Sequence, residues 1–155
     1  MSSNDRVRAS PSTSPSPSDV ERTTARYLFA IDALSTDEAD RIATGDLRER
    51  LGVTPASASE MVSKLDDRGL VDHEKYRGVT LTSRGEALAA RVAWRFCVVT
   101  SFFDSVLGTA LDDRTALEIG VALPRDGIAR LRELVTAPCL ELCPESGRDV
   151  KCCAV

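Results

Sequence analysis

Gly52 stands two positions before Thr54-Pro55. Glycine is the residue best able to adopt the left-handed conformation that ends a helix. Threonine is a natural N-cap, and proline fits the first helical position, where its missing N–H costs nothing. One helix therefore stops and another starts within three residues, which forces two helices to meet at a tight turn. The first runs from Asp46 to Leu51, with Leu47 and Leu51, four apart, turned inward. The second runs from Pro55 to about Arg68 and stops at Gly69. Its inward positions are Ala58, Met61, Val62 and Leu65, at spacings of three and four.

The flanking segments complete a recognisable order. A helix is expected from Asp19, with Tyr27, Leu28, Ile31 and Leu34 on one apolar face, and Ser35 to Arg41 as a polar connector. After Gly69, a strand from Leu70-Val71 to Tyr76, a turn at Arg77-Gly78 and a return over Val79–Leu81 read as a short hairpin. Thr82 or Ser83 caps the next helix, with Glu86 placed for a capping box. That helix covers Ser83 to Leu107. Two more follow, Asp112–Ala122 and Arg125–Val135, broken at Leu123-Pro124. The expected fold is mainly α: a Ser/Pro-rich disordered arm over 1–19, an N-terminal winged helix-turn-helix over 20–82, a helical dimerisation and sensing domain over 83–136, and a Cys-rich tail over 137–155.

This order suits double-stranded DNA. A helix fits the major groove and meets base edges with its N-terminal residues, while a hairpin can reach the backbone alongside. Thr54, Ala56, Ser57, Ser59 and Glu60 occupy the outward first turns of the second helix of the pair, and all but Glu60 are small, so close approach is possible. Lys64 lies further along, within reach of a phosphate. Lys75 and Arg77, with Tyr76 between them, place cations at the hairpin tip. The chain's net charge is -4, but residues 41–95 carry ten Lys/Arg against eight acids, and the segments on either side are acidic. No apolar run reaches the ~18 residues of a membrane span, and the polar N-terminus does not read as a secretory signal. A cytoplasmic protein is expected. With a single histidine, no Ser-His-Asp arrangement and no phosphate loop, the chain does not read as an enzyme.

The run Asp46-Leu-Arg-Glu-Arg-Leu-Gly-Val-Thr-Pro-Ala-Ser-Ala-Ser-Glu-Met-Val-Ser-Lys-Leu, the Gly69-Leu-Val that follows, and above all the stretch EKYRGVTLTSRG beginning at Glu74 resemble the DtxR/MntR family of metal-dependent repressors. The resemblance covers about Thr24 to Val135 and is that of the short, MntR-like type. It implies a homodimer paired through the helices after the wing, a palindromic operator, and iron or manganese as corepressor. It also implies that Thr54, Pro55, Ala56, Ser57 and Ser59 face bases and that Lys75 and Arg77 belong to the wing. The family's ligands on the first helix fall here on Arg26 and Phe29, its long-helix histidine on Phe96, and its next-helix group on Leu117, Gly120 and Val121. Hard divalent ions need carboxylate or imidazole ligands. Glu118 alone is near the expected place, and His73 sits in the wing. The family's usual site is therefore expected to be missing.

Four thiols crowd the tail: Cys139, Cys143, Cys152 and Cys153. Thiolates suit zinc, copper or an iron–sulfur cluster, or a reversible disulfide. Cys97 is expected to be a small core residue. The expected function is a dimeric, sequence-specific DNA-binding regulator, a repressor of metal-homeostasis or redox genes, with a transition metal or redox input. The alternatives are a winged-helix module for protein–protein contact and a thiol-based sensor that does not bind DNA.

Overall fold

The computed structural model describes residues 17–37 and 40–135. Its elements are α1 (Pro17–Leu34), α2 (Thr44–Leu51), α3 (Pro55–Asp67), β1 (Val71–Glu74), β2 (Gly78–Leu81), α4 (Ser83–Ser105), α5 (Asp113–Ala122) and α6 (Arg125–Leu134). No helix among the described residues is long and apolar enough to cross a membrane. Residues 1–16, most of the expected arm, and the tail thiols Cys139, Cys143, Cys152 and Cys153 lie outside the described residues.

Among the described residues, two larger hydrophobic clusters form the bulk of the core, with a smaller third at the junction of α1, α4 and α5. The first gathers Leu28 and Ile31 of α1, Leu47 of α2, Val62 and Leu65 of α3, Leu70, Val71 and Val79 of the hairpin, and Ala89 of α4. Each side chain fully removed from water here stabilises the fold by about 1.5–3 kcal/mol. The second core holds Cys97, Val98 and Val99 of α4 with Ala116 of α5 and Ile128 of α6. Between them, α1 packs on α2, β2, α4 and α5 together. That central position buries more of α1 than one apolar face: Thr24, Ala25 and Ala30 are covered as well as Tyr27, Leu28 and Ile31.

Several boundaries differ from those read in the sequence. α1 begins at Pro17, not Asp19, so the expected 1–19 arm loses its last residues to the helix; proline is at home in the first helical turn. α2 begins at Thr44, with Ala43 as its N-cap and no side-chain cap bond. β1 ends at Glu74 instead of Tyr76, and Gly78 belongs to β2. The capping box at Glu86 does not form, because Thr82 is the N-cap and its hydroxyl accepts the Gly85 N–H at 3.1 Å. The third helical position is thus Gly85, and a Cβ there would collide with the Leu70 carbonyl. α4 stops at Ser105, leaving Val106 and Leu107 exposed, and α6 stops at Leu134. Met61 is only partly buried.

Candidate nucleic-acid interface

The α2–α3 turn is built as the glycine and the cap require. Gly52 has φ 64°, and its N–H closes on the carbonyls of Arg48 and Glu49. Val53 drops into the first core. Thr54 Oγ1 accepts the Ser57 N–H at 3.2 Å and donates to Ser57 Oγ at 2.9 Å. From this anchor α3 divides sharply. Ala58, Val62 and Leu65 are fully buried. Thr54, Pro55, Ala56, Ser57, Ser59, Glu60 and Lys64 are all exposed.

The first turn of α3 also differs electrically from its neighbours. Asp46, Glu86, Asp113 and Asp126 sit in the first turns of α2, α4, α5 and α6, whereas α3 carries no acid there. Its positive helix end is left unneutralised, which suits an approaching phosphate backbone. Lys64 lies on the exposed face and pairs with Glu60 at 2.8 Å. That contact holds the Glu60 carboxyl below its usual range, chiefly by the hydrogen bond and then by the charge of Lys64. An exposed pair of this kind is weak and screened by salt, so it yields readily to a stronger anion.

The hairpin pairs Val71 with Leu81, Asp72 with Thr80, His73 with Val79 and Glu74 with Gly78. Its tip is Lys75-Tyr76-Arg77. Tyr76 is 95% exposed and adopts φ 68°, a conformation side-chain-bearing residues seldom take. The Lys75 ammonium lies 5.3 Å from the Tyr76 ring centroid, and Arg77 pairs with Glu74 at 3.2 Å.

Sequence reasoning missed what fixes this hairpin. Ile42 bridges Val79: its N–H donates to the Val79 carbonyl at 2.8 Å, and its carbonyl accepts the Val79 N–H at 2.9 Å. Beside it, Arg41 Nη2 meets Asp72 at 2.6 Å and Glu74 at 3.1 Å, while Nη1 donates to the Asp72 and Gly78 carbonyls. Glu74 is thus shared between Arg41 and Arg77. Gly78 is needed for a related reason: a Cβ there would strike the Ile42 carbonyl. An Ile after an Arg at the end of a polar connector was the available signal. His73, exposed on β1, receives no side-chain role; its backbone N–H donates to Asp66 at 3.3 Å.

A second constellation lies at the junction of α1, α4 and α5. Ala25, Val92 and Leu117 are buried there, with Phe29, Phe96 and Val121 packed against them. The Phe29 and Phe96 rings are 4.9 Å apart between centroids and inclined at 46°. Phe29, Phe96, Leu117 and Val121 are four of the six positions at which the resemblance puts metal ligands, and their side chains offer a hard divalent ion no donor atom. Glu118 is tied to Arg114 at 3.2 Å. Among the described residues no group of three or more His, Cys, Asp or Glu side chains could hold a metal.

Residues 19–79 match the family described as "Iron dependent repressor, N-terminal DNA binding domain". The HTH-type transcriptional regulator MntR of Lysinibacillus sphaericus (strain C3-41) is 46% identical over 57 residues, which are 37% of this chain and 41% of that protein. A solved manganese-dependent transcriptional repressor in complex with manganese is 31% identical, with a TM-score of 0.63 over 74% of this chain and 53% of its own. The hypothetical protein SSo2273 from Sulfolobus solfataricus, 24% identical with a TM-score of 0.53, shares the fold over 80% of this chain and 94% of its own. The chain thus spans about half the length, or less, of the repressors it matches.

Proposed function

We propose that the chain, whose residues 19–79 match the iron-dependent repressor DNA-binding family, is a DtxR/MntR-like, sequence-specific DNA-binding repressor that reads a palindromic site as a homodimer. One observation carries the reading: α3 presents an exposed, small-residue, acid-free first turn directly after a tight turn. In this role Thr54, Pro55, Ala56, Ser57 and Ser59 face base edges. Lys64, Lys75 and Arg77 contact phosphates, the first and last after leaving Glu60 and Glu74. Arg41 and the Ile42 bridge hold the wing at a fixed angle to α3, so the two elements meet one duplex together.

Pairing is assigned to the helical half, where Val106 and Leu107 after α4 and Leu134 at the end of α6 leave large apolar side chains in water. A second copy of the chain would cover them, and two heads would then read two half-sites.

The relatives named for their metals are regulated or occupied by manganese, zinc or cadmium, and a transition-metal input is the corresponding proposal here. The α1–α4–α5 junction does not fit that role. The tail thiols remain the chain's candidate for it, as ligands for a soft metal or as a redox pair.

The test is selection of duplexes from a random-sequence pool by the full chain. An inverted repeat is expected. Lys75→Ala with Arg77→Ala removes two phosphate contacts from each protomer, so it should weaken binding to the selected duplex at least about tenfold and lower the salt slope by about 4. A chain that selects no sequence acts instead as a protein–protein module or a thiol sensor.

A further inference from the structure

We infer that the junction of α1, α4 and α5 is an apolar clasp standing where the resemblance places metal ligands, so that the DNA-binding arrangement of this chain needs neither Mn(II) nor Fe(II). The functional half of this statement rests on the DNA-binding reading above; the clasp itself does not.

Phe29, Phe96, Leu117 and Val121 come from three helices spread over most of the described chain, yet they meet in one cluster. Convergence of this kind shows that the ligand positions carried over by the resemblance are spatially coherent. The positions come together in space, but the side chains at them are apolar and cannot ligate an ion. What fills the junction is two aromatic rings in contact and four aliphatic groups. Inserting a divalent ion would bury charge without a single compensating donor. Arg26, the remaining first-helix ligand position, brings a positive charge instead of a donor.

The polar link that an ion would supply is also already made by the chain. Arg95 of α4 donates from Nη1 to the carbonyls of Gly120 at 2.9 Å and Leu123 at 2.8 Å, tying α4 to the end of α5. Gly120 lies against the Arg95 backbone, where a Cβ would come within 3.3 Å of the Arg95 carbonyl carbon. A bound ion stabilises an arrangement only in proportion to its concentration. Packed rings and an attached guanidinium act at every metal concentration, so no metal-dependent switch remains at this place.

The test uses the full chain with Cys139, Cys143, Cys152 and Cys153 all changed to serine, stripped with chelator and titrated with MnCl2. Free Mn(II) is followed by electron paramagnetic resonance, and melting by calorimetry. The full free-ion signal and a melting temperature steady to about 1 °C are expected. Stoichiometric loss of the signal, or a rise of about 5 °C or more, would overturn the clasp. Phe29→Ala should lower the melting temperature by several degrees and Phe29→Leu should restore most of it; no loss in Phe29→Ala would also overturn it. Absence of manganese binding with failure to select any DNA would leave the clasp standing and remove the repressor reading.

Discussion

The exposed face of α3 and the buried junction of α1, α4 and α5 are built on opposite rules. On α3, Thr54, Ala56, Ser57 and Ser59 face water on a helix held from behind by Ala58, Val62 and Leu65. At the junction, Phe29, Phe96, Leu117 and Val121 fill the space among three helices with apolar groups alone. The first keeps its hydroxyls at the surface, with Thr54 and Ser57 bonded to each other, where a groove could reach them. The second has no donor left to offer an ion. Under the proposed function, the surface offered to DNA and the junction are independent, because the two share a scaffold but no side chain.

The comparison is broken most severely where the two regions are joined. Gly85→Ala drives a methyl group into the Leu70 carbonyl between the hairpin and α4. We expect a loss of at least about 3 kcal/mol, seen as failure to melt cooperatively in calorimetry. Phe96→Ala removes one ring of the junction and should cost about 3 kcal/mol, with the consensus of selected DNA unchanged. Ser57→Ala with Ser59→Ala should do the reverse: DNA affinity falls about tenfold and stability moves by less than about 0.5 kcal/mol, since both residues are exposed. If either pair of effects travels together, the two regions are not separable in the way described.

Smaller effects refine the picture of the head. Arg41→Ala releases the wing from the connector. It should cost at most about 1 kcal/mol, because its acidic partners are half exposed, but it should raise amide exchange at Asp72 and Val79. The smallest effect is expected in acid. The Asp112 carboxyl, N-cap of α5, is held below its usual value first by the Thr115 hydroxyl and then by backbone N–H groups. Its folded value lies below its unfolded one. The contribution is therefore present above about pH 4 and lost as pH falls through the folded value. Asp112→Asn should keep the cap and flatten the acid limb of the stability curve.

Much of the head was legible in the sequence because its signals are local. Gly52, Thr54-Pro55 and Gly69 fix ends and starts within a few residues, and the buried stripe of α3 follows helical spacing. What escaped depends on approach between distant segments. The Ile42 bridge to Val79 and the Arg41 contacts cross more than thirty positions. Thr82, not Ser83, is the cap, and its hydroxyl also reaches the Gly69 carbonyl thirteen positions back, as Gly85 passes close to Leu70; neither approach can be read from the capping residues alone. Similarly, the apolar stripe read on α1 contained Leu28 and Ile31 but not Ala25 and Phe29, because a single periodicity cannot reveal a helix packed on two sides. The junction was legible only through resemblance, as a set of positions whose residues had the wrong chemistry.

The central claim is that this head reads DNA without an ion at the α1–α4–α5 junction. It is tested most directly by fluorescence anisotropy on the selected duplex, with the tail thiols replaced by serine, in chelator and then in millimolar MnCl2. Equal affinity under the two conditions, within about twofold, is the predicted result; manganese dependence of tenfold or more, about 1.4 kcal/mol, would contradict it.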